Sequence, residues 1–256
     1  MADKRPPGGK FAYSLNFIQK IGNPRNPAVE SSIAVLEGNM KKILILAWFL
    51  SIGAALAMTT FKVKVRCPLD GEEFDFLAQG SGTSFGAMLD GKPFGAIMMP
   101  WPIAKCPKDG LVFYKDDFLR IESALLKSFV ESPRYQSLQK SETNYWLAYI
   151  LSKHLSAPLD EQVSLMVKAT WEASEDERYE RYAKETIEAI SRIKNPSADM
   201  IFLSGELNRR IGKFDKAAKI FSSLEKKVEA GSFLAEIISK EFELIAKKDS
   251  SPQPAR

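Results

Sequence analysis

Histidine is all but missing from this chain: His154 is the only one among 256 residues, and cysteine occurs twice, as Cys67 and Cys106. No motif gathers a serine, a histidine and an acid into a catalytic set. His154 has no convergent partner in the sequence and reads as a surface or helix-end residue, not a base or a ligand. Net charge is missing too, once the chain is divided. The formal balance is +4, but residues 1–57 hold seven Lys/Arg and three acids, which leaves 29 basic and 29 acidic residues from Met58 onward. A body without net charge is poorly suited to a phosphate backbone, so no nucleic-acid partner is expected. The run Gly80-Ser-Gly-Thr-Ser-Phe-Gly86 lacks the Lys-Ser/Thr ending of a phosphate loop, and no helical pattern follows it at once, so it reads as a flexible surface loop.

What remains is ordinary globular material. Hydrophobic residues make up 45% of the chain, enough for a packed core, and the length suits one large or two small domains. Residues 43–58 form an apolar run with Met40-Lys41-Lys42 before it and Ala55-Leu56-Ala57 at its close. A positive start, a short apolar stretch and an A-x-A site are the parts of a secretory signal peptide, predicted here over 40–57. Residues 1–39 are then an upstream extension without evident structure, or a mis-assigned start. Two rivals stay open. An uncleaved membrane tether over 43–61 has just enough length to span, and a start at Met58 makes the protein cytoplasmic. Lys64-Val65-Arg66 occupies the place where a lipobox would precede Cys67.

From 58 to 120 the pattern is that of a small β domain. Phe61–Val65 alternates apolar and basic residues, and 72–77, 97–104 and 111–114 offer further strand material. Two echoes stand within it: Cys67-Pro68-Leu69-Asp70-Gly71 and Cys106-Pro107-Lys108-Asp109-Gly110. Each looks like a zinc-ribbon knuckle, Cys-Pro-x-Cys-Gly, with aspartate in place of the second cysteine. Proline stiffens the entry of such a turn and glycine supplies the positive φ it needs. Three readings fit the pairs. Cys67, Asp70, Cys106 and Asp109 can form a tetrahedral zinc site, weaker than four thiolates. Alternatively Cys67 and Cys106 form a disulfide that closes a loop of about 40 residues, for roughly 3–4 kcal/mol, and the two aspartates accept backbone N–H groups in their own turns. In the third reading both thiols are inert. The cofactor expectation is accordingly none, or zinc.

From Ile121 to about residue 248 helix formers take over, with apolar residues at three- and four-residue spacing. Helices are predicted over Glu142–Leu155, Asp160–Ser174 and Ser232–Lys247. Trp171 and Gly205, Ala183 and Ala217, and Ile187 and Phe221 all stand 34 residues apart, the period of a tetratricopeptide repeat. Such repeats build a groove from the first helix of each unit, which here places Asp199, Phe202, Glu206 and Arg209 as partner-binding residues. The tail 249–256, polar with two prolines, is expected to be disordered.

Arg66–Phe74, Leu89–Pro93, Ala104–Gly110 and Gly205–Phe214 together resemble an uncharacterised bacterial family that joins a Cys-Pro-x-Cys ribbon to a tetratricopeptide-like helical tail. The resemblance spans about residues 61–230. It implies the two-part architecture and makes Cys67 and Cys106 metal ligands; Asp70 and Asp109 depart from its pattern. The sequence thus predicts an α+β protein, a zinc-ribbon-like β domain followed by a tetratricopeptide-like array. The expected function is non-enzymatic, exported or membrane-tethered, binding another protein or peptide through the helical groove. The alternative is a cytosolic zinc-binding regulatory protein. An enzyme would need a site beside Asp90, Lys92 and Trp101, and no motif supports one.

Overall fold

A computed structural model describes residues 58–115 and 123–256; the expectations for 1–39 and 40–57 lie outside them. Strand β1 (Thr59–Arg66) pairs antiparallel with β2 (Glu73–Ser81), Val63 facing Phe76 and Val65 facing Phe74. The period of two therefore puts Phe61, Val63, Val65, Phe74, Phe76 and Ala78 on one face. On the other face Lys64 and Asp75 pair at 2.8 Å. Thr59, Thr60 and Phe61, the last residues of the tether expected over 43–61, belong to β1. β-branched residues that pair with β2 extend the sheet, so the apolar run does not continue as a helix through Phe61. Among the described residues no helix is long and apolar enough to cross a membrane.

The glycine-rich run is not a loop. β2 continues to Ser81, and β3 (Thr83–Ala87) pairs antiparallel with β4 (Pro93–Ala96) through a register shift between Ser84 and Gly86. Gly86 takes φ 155°, which lets the strand bulge where another residue would strain. The strand expected over 97–104 does not form, because Pro100 and Pro102 lack the N–H a ladder needs. Only Lys105 bridges across to Val112.

Eight helices follow among the described residues: α1 (Ser123–Val130), α2 (Pro133–Ser141), α3 (Asn144–His154), α4 (Leu159–Glu172), α5 (Tyr179–Ser191), α6 (Ala198–Arg210), α7 (Phe214–Glu225) and α8 (Phe233–Ala246). Four begin on a hydroxyl cap. Ser132, Thr143, Ser197 and Ser232 each accept the backbone N–H of the residue three further on, which satisfies a donor the helix itself leaves free. From α3 onward each helix packs on the next in chain order. Trp146 stacks on Tyr182 at 4.0 Å between α3 and α5. Phe202, Ala217, Phe221, Leu224, Ile237, Ile238 and Leu244 form one core across α6, α7 and α8. Gly205 is required there, since a β-carbon on it would lie 2.6 Å from the ring of Phe221.

The β part is fastened to these helices by polar contacts. Tyr135 donates its hydroxyl to the Gly110 carbonyl at 2.9 Å, Gln136 donates to the Asp109 carbonyl at 2.8 Å and Lys105 to the Gln139 carbonyl at 2.7 Å. Met58–Arg256 form one compact unit, mixed α+β with a helical C-terminal region. The tail 249–256 is part of it and not disordered: Leu89 N–H donates to the Gln253 carbonyl and Ala255 N–H to the Ala87 carbonyl, both at 2.8 Å. Composition misleads at this point because the tail is held through its main chain.

Candidate functional site

The two echoed turns have the same geometry. In the first, Cys67 N–H donates to the Glu72 carbonyl (2.8 Å), Gly71 N–H to the Cys67 carbonyl (3.0 Å), and Asp70 Oδ1 accepts Glu72 N–H (2.9 Å). In the second, Cys106 N–H donates to the Leu111 carbonyl (2.8 Å), Gly110 N–H to the Cys106 carbonyl (3.1 Å), and Asp109 Oδ1 accepts Leu111 N–H (2.8 Å). Gly71 and Gly110 share φ 77°, a left-handed conformation that glycine adopts freely. The turns face one another, and Cys67 and Cys106 are joined in a disulfide with their α-carbons 5.8 Å apart.

This arrangement does not suit the zinc site expected from Cys67, Asp70, Cys106 and Asp109. Bonded sulfurs are not thiolates, and only a thiolate ligates the ion. Asp70 and Asp109 each spend an oxygen inside their own turns. Among the described residues no group of three or more His, Cys, Asp or Glu is placed to hold a metal ion. Burial pushes the Asp109 carboxyl above its ordinary range, which opposes the charged form a cation would need.

The face of α6 is also not the groove the repeat spacing predicts. Of the four partner-binding candidates, Asp199 is half-buried, while Phe202, Glu206 and Arg209 are 2%, 1% and 0% exposed. Phe202 lies in the core with Phe221. Arg209 donates to both oxygens of Glu206 at 2.8 Å, stands 2.7 Å from Glu241 on α8, and donates to the carbonyls of Asp249 (2.7 Å) and Ser251 (3.0 Å). Its neighbour Arg210 donates to the Ser250 carbonyl, lies 3.8 Å from the buried Asp90 and stacks over Tyr179. Helix α8 and the tail thus fill the place where a partner was expected. Charged residues bury here because each finds an opposite charge or a carbonyl.

Three carboxyls, Glu206, Glu241 and Asp90, face two guanidiniums in this cluster. Burial, then the charge of Glu241, hold the Glu206 carboxyl well above the usual carboxylate range. Burial raises Glu241 and Asp90 as well. Sequence reasoning missed Glu241 and Arg210, and named Asp90 only for an enzyme site. The signal available was the Glu206–Arg209 pair at a spacing of three on one helix.

An open concavity lies elsewhere. Met98, Met99, Pro100, Pro102 and Ile103 form one wall of a cleft of about 780 Å³, and Trp171, Glu172, Ser174, Glu175 and Asp176 another. Lys92, which also lines it, donates to the Trp171 carbonyl (3.1 Å) and the Ser174 hydroxyl (3.4 Å), and Tyr145 donates to the Trp101 carbonyl (2.8 Å). Trp171 Nε1 is buried and makes no hydrogen bond. Asp176 is ion-paired to Arg178, whose hydrogen bonds lower its pKa to about 2. Asp90, Lys92 and Trp101, the residues an enzyme reading would use, are not gathered in this cleft, since only Lys92 lines it. His154 ends α3 and stacks on Phe129 at 3.8 Å.

No protein-family model, no curated protein and no solved structure matches the chain.

Proposed function

We propose that this is a non-enzymatic protein-interaction protein, exported or membrane-tethered, in which a zinc-ribbon-like pair of turns stapled by a disulfide is packed on a tetratricopeptide-like array. The finer fold reading is supported by the identical geometry of the two turns and by α6 and α7, where Gly205, Ala217 and Phe221 interlock at the positions the 34-residue spacing assigns. The same residues carry the likeness to the bacterial ribbon-and-repeat family. A buried disulfide supports the exported reading, since such bonds persist in oxidising compartments.

The partner site moves from the α6 face to the cleft beside Trp171. One observation carries this: the cleft sets an adaptable wall of methionine and proline beside Trp171. A protein segment that lays an apolar side chain on Met98 and Met99 beside Trp171 fits it. A photo-crosslinking residue in place of Met99, in cells that make the full chain, tests the reading. One discrete protein adduct, lost with Trp171→Ala and kept with Phe85→Ala, is expected. No discrete adduct, or equal loss with both substitutions, would overturn it.

A further inference from the structure

The tail is recognised almost wholly through its main chain. Its carbonyls at Asp249, Ser250, Ser251, Gln253 and Pro254 accept from Arg209, Arg210, Arg209, Leu89 N–H and Lys240 respectively, and Ala255 N–H donates to Ala87. Pro254 lies opposite Met88 in an antiparallel bridge, so the tail adds a short strand beside the end of β3. Two side chains add to this. Ala255 packs against the α6–α8 core, and Arg256 pairs with Glu236 at 3.0 Å over the ring of Phe233. The receiving groups come from α6, α8 and the 87–89 segment. They form a strand-addition site that fits this tail whichever copy of the chain supplies it.

The hinge gives a reason to exchange. The chain leaves α8 by a turn in which Lys248 N–H donates to the Ile245 carbonyl (3.0 Å) and Asp249 N–H to the Leu244 carbonyl (2.9 Å). Lys248 takes φ 51° there, where glycine is the usual residue because a β-carbon is strained in that conformation. If the chain continues straight past Lys247, the strain disappears and the tail points away from its own body.

We propose that residues 249–256 exchange between two copies of this chain, the tail of each lying on Arg209, Arg210, Lys240 and the 87–89 segment of the other. Apart from the two hydrogen bonds of the turn itself, the contacts of the tail are reproduced, the two-fold arrangement is closed, and the left-handed turn at Lys248 is released. This interface is separate from the Trp171 cleft and does not depend on the partner reading.

Two full-length variants, Met88→Cys and Pro254→Cys, are mixed with the native cysteines kept, allowed to equilibrate and mildly oxidised. The expected product is a covalent heterodimer in which peptide mapping finds residue 88 of one copy joined to residue 254 of the other. Its yield should fall severalfold when both copies also carry Lys248→Gly, which removes the strain of the closed turn. The double variant Met88→Cys/Pro254→Cys at high dilution should close within one chain, which shows that the pair is within bonding distance. Internal closure of the double variant with no 88–254 product in the mixture would overturn the exchange. Light scattering on the unaltered chain provides an independent reading. A concentration-dependent dimer that weakens with Lys248→Gly supports the proposal, and a monomer at every concentration refutes it.

Discussion

Arg209 on α6 and Glu241 on α8 stand 2.7 Å apart with both side chains fully withdrawn from water. A charge pair this deep is costly to assemble and costlier to break, because the surviving partner is left uncompensated. Arg209→Met leaves Glu206 and Glu241 facing each other and frees the carbonyls of Asp249 and Ser251. A loss of about 3–5 kcal/mol is expected in urea unfolding, together with fast hydrogen exchange at Ala255. Retained exchange protection in the tail would show that Arg209 does not hold it.

The same cluster makes stability depend on pH. Glu206 titrates in its ordinary range when unfolded and well above it when folded, so the folded state binds the extra proton. The stability this contributes is complete below about pH 4 and is lost as pH rises through the folded value. Glu241 and Asp90 shift in the same direction. The thermal midpoint should therefore fall as pH rises above the ordinary carboxylate range, and Glu206→Gln should flatten that slope. A slope unchanged by the substitution would place the titrating group elsewhere.

Reduction should separate the disulfide from the metal reading of the twin turns. With Cys67 and Cys106 separated by 39 positions, reduction releases a loop whose closure is worth about 3–4 kcal/mol. The intact protein should lie two daltons below its reduced mass, dithiothreitol should lower the unfolding midpoint, and a chelator should leave that midpoint unchanged. A chelator-sensitive midpoint would restore the Cys67/Asp70/Cys106/Asp109 zinc site.

Gly205→Ala tests the α6–α7 contact. The added methyl meets the Phe221 ring at 2.6 Å in a core without slack, and about 1–3 kcal/mol of overpacking is expected although alanine is the better helix former. Gly205→Ala/Phe221→Leu should recover part of the loss, because the smaller side chain makes room. No recovery would mean that the ring is not what excludes the methyl.

Ser197→Ala should remove about 1 kcal/mol by freeing the Met200 N–H that the hydroxyl accepts. Ser197→Asp should keep most of the stability, since it restores an acceptor and sets a negative charge at the helix N-terminus. Equal losses for both would show that the cap contributes little.

Local rules carried the sequence reading wherever the determinants lie close together in the chain. The twin turns were legible because proline, aspartate and glycine at fixed offsets each have one job in a short loop. The helices over 142–155, 160–174 and 232–247 were legible from period and cap residues, and match α3, α4 and α8 within a few positions. The α6 face was not legible. The repeat register placed Glu206 and Arg209 in a partner groove, and what neutralises them lies in α8 and the tail. The tail itself has a solvated composition, yet its recognition uses carbonyls that every residue possesses. In the 97–104 segment apolar spacing suggested a strand, but two missing N–H groups decided otherwise. Likewise the Trp171 cleft is drawn from segments far apart in the chain, and no motif marks it.

The strand pairing between 87–89 and 253–255 also sets a timetable for biosynthesis. The helices from α3 to α8 can stack one upon another as they emerge, because each touches its predecessor. The β part gains its final fastening only when residue 255 is free to reach back across nearly the whole described chain. A chain cut short of that point leaves the guanidiniums at 209 and 210 without those carbonyl acceptors.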